Sequence, residues 1–159
     1  MDHTGFVDWP LIVARDTSKF HAAIDWLQVK LKEGREVCAC NGALVDLAKE
    51  QANHFATYGA YKNQVDTLAD MWSSRLKNIE ATVMHEWKLN PPTSQEVKAT
   101  ELKKIIMVDD RYVEIEIEFG LIDYLKKQYD TLMKSLEQRH YQITNLVTLH
   151  KNGLEYVSV

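Results

Sequence analysis

Glycine, proline and cysteine are scarce in this chain of 159 residues, at six, three and two copies. With so few turn-forming residues, the chain has no Gly-rich phosphate cradle and little punctuation for a many-stranded sandwich or barrel. Cys38 and Cys40 are separated by one residue, too close for an ordinary disulfide. No second Cys or paired His stands nearby to complete a zinc set, so both are expected to be reduced. No apolar run approaches the ~18 residues that a membrane span requires. The start of the chain, Met1 to Gly5, is polar and acidic, unlike a basic leader, so a cytoplasmic protein without membrane contact is expected.

Enzyme signatures are also missing. There is no GxSxG elbow, and His85-Glu86-Trp87 lacks the second His of a metal-binding HExxH pair. The six histidines are scattered along the chain. These absences predict a non-enzymatic protein with neither metal nor cofactor. A net charge of -4, from 19 basic and 23 acidic residues, gives no global attraction to nucleic acid, so strand binding would need a local patch or several subunits.

What remains is helix vocabulary: Leu, Ala, Glu, Lys, Gln and Met recur throughout. The predicted class is all-α, built of long amphipathic helices in a bundle or coiled-coil arrangement and oligomeric. Residues 1–42 read as an N-terminal segment with a short helix, 43–90 as a long middle helix and 91–159 as a C-terminal helical region, together one structural domain. Phe6 to Val13, with Trp9-Pro10, predicts an extended segment. Asp16-Thr17-Ser18 can cap a helix carrying Phe20, Ile24, Trp26, Leu27 and Leu31 that Gly34 would stop.

From Leu44 to Val83 a largely apolar series falls at alternating three- and four-residue steps, through Phe55, Tyr58, Lys62, Val65, Trp72 and Leu76. That spacing predicts one helix, continuous or broken near Gly59. Asn90-Pro91-Pro92 ends it, and Thr93 or Ser94 can cap the next helix, through Val97, Leu102, Ile105 and Ile106.

Beyond Asp109-Asp110 two readings compete. Val113, Ile115, Ile117 and Phe119 alternate with glutamates, as in a short hairpin over 105–119. The alternative is a helix to the Asn152-Gly153 stop, and it accounts for far more of the chain. Its stripe of Val113, Ile117, Leu121, Leu125, Leu132, Leu136, Ile143 and Val147 is expected to build the oligomer. Residues 109–123 hold six acids and one base, and 126–151 hold five bases and two acids. The acidic end of one copy could therefore pair with the basic end of another. On the middle helix Lys62, Arg75 and Lys77 lie among aromatic residues including Trp72, types that contact phosphates and stack on unpaired bases.

The C-terminal part adds Glu101-Leu102-Lys103-Lys104-Ile105-Ile106, then Asp109, then Tyr112-Val113-Glu114-Ile115 opening a long helix, and finally Arg139-His140-Tyr141-Gln142-Ile143 with Asn145. Over about residues 100–155 this order resembles the phage recombination mediators of the UvsY type. The resemblance implies a small helical protein that assembles into a ring and binds single-stranded DNA. Its partners would be a phage recombinase and the single-strand-binding protein it displaces, in the host cytoplasm. It also implies a basic patch on the preceding helix, for which Arg75 and Lys77 are the nearest candidates, with Lys62 beside them and Trp72 for stacking. The other reading of the same heptads is a coiled-coil adaptor or assembly chaperone that binds another protein and no DNA.

Overall fold

The computed structural model describes residues 7–39, 43–89 and 99–153. Five α-helices follow in order: α1 (Trp9–Arg15), α2 (Phe20–Val37), α3 (Leu44–Leu89), α4 (Ala99–Ile106) and α5 (Asp110–Lys151). No strand occurs among the described residues, so the protein is all-α and the hairpin over 105–119 does not form. Asp109 decides the local competition by accepting the Arg111 amide at 3.0 Å, which starts a helix where a hairpin turn would sit. The helix then runs 42 residues and ends as expected at Asn152-Gly153, with Gly153 in the left-handed region at φ 67. The Pro91-Pro92 break and the caps at Thr93 and Ser94 lie outside the described residues.

Two N-terminal expectations are corrected. Trp9 and Pro10 begin α1 and are not extended: Asp8 accepts the Leu11 amide at 3.1 Å, and Pro10 occupies the first turn, where its missing N–H costs nothing. Gly34 does not stop α2, which continues to Val37. A Cβ at position 34 would lie 2.6 Å from Leu132 Cδ2 and 2.8 Å from the Tyr58 ring, so this glycine permits close approach of α2 to its neighbours. The middle helix is continuous through Gly59 for 46 residues.

The chain forms two compact units, to both of which α3 and α5 contribute: Met1–Val65 with Leu125–Val159, and Asp66–Tyr124. In the first, α3 and α5 run antiparallel. Gln51 Nε2 donates to the Leu136 carbonyl at 2.8 Å, and Lys62 pairs with Asp130 at 3.2 Å. The α2 helix lies on this pair: the Tyr129 hydroxyl donates to the Leu27 carbonyl at 2.8 Å, and burial holds that phenol well above the ordinary tyrosine range. Trp9, Trp26 and Tyr61 form a ring contact series that joins α1, α2 and α3. The core comprises Val13, Phe20, Leu27, Val65, Leu125, Tyr129, Leu132 and Leu136.

In the second unit the α3 and α5 segments are again antiparallel, with Trp72 meeting Glu118 and Glu86 meeting Arg111. Its core contains Leu68, Trp72, Val83, Ile106, Ile115 and Ile122.

Candidate interaction sites

Trp72 is 0% exposed, and its indole N–H donates to Glu118 Oε2 at 2.8 Å. The Arg75 guanidinium covers its ring at 4.8 Å. Trp72 therefore presents no face to a nucleic-acid base in this conformation, which corrects its reading as a stacking residue. The periodic stripe of α3 already contains Trp72, and position in a stripe outweighs residue type.

Arg75 is half-buried and Lys77 exposed. Two residues apart on a helix, they point about 160° apart around its axis, so a single phosphate cannot engage both. Lys62 belongs to the other unit and its ammonium group pairs with Asp130. The four residues grouped in sequence thus become a cation over a buried indole, an exposed lysine and a separate ion pair.

Where α4 gives way to α5, Arg111 donates two hydrogen bonds to Glu86 on α3, at 3.1 and 2.7 Å, and also engages Asp109. Hydrogen bonding to the guanidinium holds both carboxyls below their ordinary range.

The stripe assigned to oligomer building divides in two. Leu125, Leu132, Leu136 and Ile143 are buried within the single chain, and Val147 is half-buried at the far end. Their apolar area is spent on the intrachain core, which corrects their reading as intersubunit contacts. Upstream the phase differs. The buried residues are Ile115 and Ile122, whereas Ile117 is 62% and Leu121 41% exposed and Val113 is half-buried. Successive four-residue steps through 113, 117 and 121 each overshoot a full turn by about 40°, so that series drifts off the core face. With Tyr124, 63% exposed, these residues make an apolar stripe along solvent-facing α5.

In the first unit a groove of 560 Å³ opens between α3 and α5, lined by Ala48, Gln51, Ala52, Phe55 and Ala56 on one side and Glu137, His140 and Tyr141 on the other. Phe55 and Tyr141 stand 38% and 68% exposed at its walls. A second hollow of 420 Å³ shares Ala48 and adds Leu44, Val45, Lys49, Val147, His150 and Lys151. Sequence reading missed this groove, although Ala48, Ala52 and Ala56 at four-residue spacing were the signal for it. Beside it Arg139 is buried with no carboxylate partner among the described residues. Its Nη1 donates to Gln51 Oε1, and its Nε has no partner.

Among the described residues no group of three or more His, Cys, Asp or Glu side chains is placed to hold a metal, and no helix is long and apolar enough to cross a membrane. Cys38 lies half-buried, with its thiol 3.5 Å from the Gly34 carbonyl; Cys40 lies outside the described residues. No family model, curated protein or solved structure matches the chain.

Proposed function

We propose that the chain is a non-enzymatic, self-associating, single-stranded-DNA-binding recombination mediator of the UvsY type. It would assist a phage recombinase on DNA covered by single-strand-binding protein. The observation that carries the reading is the arrangement of residues 101–145. The segment Glu101 to Ile106 lies on α4, Asp109 caps the start of α5, and the remaining residues that carry the resemblance lie on α5. Strand contact then rests on exposed Lys77 and half-buried Arg75, each on its own face of α3, multiplied over several subunits, since each neutralised phosphate adds counterion release and linked sites gain by effective concentration.

The test is fluorescence anisotropy of a labelled single-stranded oligonucleotide at low and moderate salt, with duplex as control. Salt-sensitive preference for the single strand, lost in Arg75→Glu/Lys77→Glu, is the expected result. Absence of binding even at low salt sinks the reading. The second reading, a helical adaptor with a protein partner, is favoured by two observations: the apolar groove between α3 and α5, and the burial of Trp72. It would then stand alone.

A further inference from the structure

The exposed α5 stripe and the α3/α5 groove complement each other in three respects. The first is length. Val113 to Tyr124 covers 11 helical steps and the groove floor runs 12 steps along α3 from Leu44 to Ala56, so both are about 17 Å long. The second is shape. The stripe has Gly120 at its centre, where a Cβ would meet nothing within 4 Å, and the floor is three alanines between Phe55 and Tyr141. A helix can therefore approach closely, as in helix-in-groove recognition.

The third respect is charge. Exposed Asp110, Glu114 and Glu116 flank the N-terminal part of the stripe. Lys49 and Lys151 line the Leu44 end of the groove, and Glu137, the one acid among its described lining residues, lies toward the opposite end.

We infer that the α3/α5 groove of one copy receives the Val113–Tyr124 face of α5 from a second copy. The acidic start of the stripe lies at the Lys49/Lys151 end, and Tyr124 lies near Glu137, whose carboxylate its hydroxyl can donate to. Stripe and groove are different surfaces and each copy offers one of each, so a head-to-tail contact between them passes from copy to copy. Asp110, Glu114, Glu116, Lys49 and Lys151 set the direction, while Ile117 and Leu121 supply the buried area.

The interface deepens the self-association in the proposed function, and its test needs no DNA. Two full-length variants are made, Ile117→Glu/Leu121→Glu in the stripe and Ala52→Glu/Ala56→Glu in the groove. All four positions are exposed, so helicity by circular dichroism should match wild type. Subunit number is read by sedimentation velocity. Wild type should form species larger than a dimer, each variant alone should be a monomer, and an equimolar mixture should give a one-to-one dimer, because one intact groove and one intact stripe remain.

A monomeric wild type, variants that keep the wild-type subunit number, or a mixture that stays monomeric would each overturn the interface. A wild type that assembles as described but binds no strand removes the mediator reading and leaves the interface standing.

Discussion

At the scale of single residues, two buried positions of the first unit meet side chains far away in the sequence. Gly34 lets α2 reach Leu132 and Tyr58, both buried, at distances that no β-carbon tolerates. Gly34→Ala gains up to about 1 kcal/mol of helix propensity but forces two packed side chains aside, so a net loss of about 1–2 kcal/mol is expected in urea titration. Arg139 is a buried cation whose only acceptor among the described contacts is Gln51. Gln51→Leu should cost about 3 kcal/mol by stranding it, and adding Arg139→Met should restore wild-type stability or exceed it. A double variant as unstable as the single one would show that the guanidinium itself stabilises the fold. The glycine reads in sequence as a helix stop, which it is not, because only the local signal of residue type is visible there. Its role depends on Leu132, ninety-eight positions away, which no local pattern records.

At the scale of elements, α5 shows how far periodicity reaches. Existence, length and the C-terminal stop of the helix were legible, because forty residues of amphipathic pattern outweigh a short alternation and Gly153 supplies the left-handed end. The phase of its first three turns was not, since the run from Val113 to Phe119 offers apolar residues at odd positions compatible with either face. Tertiary contact with α3 selects Ile115 and Ile122. The start of α5 is clamped by Arg111 between Asp109 and Glu86, and this contact has a pH dependence. Both carboxyls are lowered, so the stability they contribute is present above their ordinary values of 4.5 and 3.8 and is lost as pH falls through the lowered ones. Between roughly pH 5 and pH 3, wild type should lose more helical ellipticity than Arg111→Gln, which has no clamp to release. Equal loss in the two proteins would remove the clamp from the account of acid sensitivity.

At the scale of the whole molecule, the intrachain core and the proposed contact between copies make separable demands on α5. Leu136 is fully buried within one chain, so Leu136→Ala should cost about 2–5 kcal/mol. That cost should be unchanged in the Ile117→Glu/Leu121→Glu background. The melting temperature of wild type should rise with protein concentration, because association stabilises only the folded chain, and that dependence should vanish in the stripe variant. A cost at Leu136 that shrinks in the stripe variant would return Leu136 to the intersubunit seam.

The candidate site was the least legible part of the chain. Lys62, Trp72, Arg75 and Lys77 are near neighbours in sequence, yet side chains on a long helix radiate in all directions, and two of the four are claimed by Asp130 and Glu118. The sequence by itself determined the helical class, the existence of α3 and the extent of α5, since each follows from periodicity, propensity and end signals within the segment, whereas the continuity of α3 through Gly59 was decided by the structure. Only the tertiary structure decided which face of each helix is spent on the core and which is left exposed. That choice depends on residues far apart in the chain meeting side by side: Gly34 with Leu132, Trp72 with Glu118, Arg111 with Glu86.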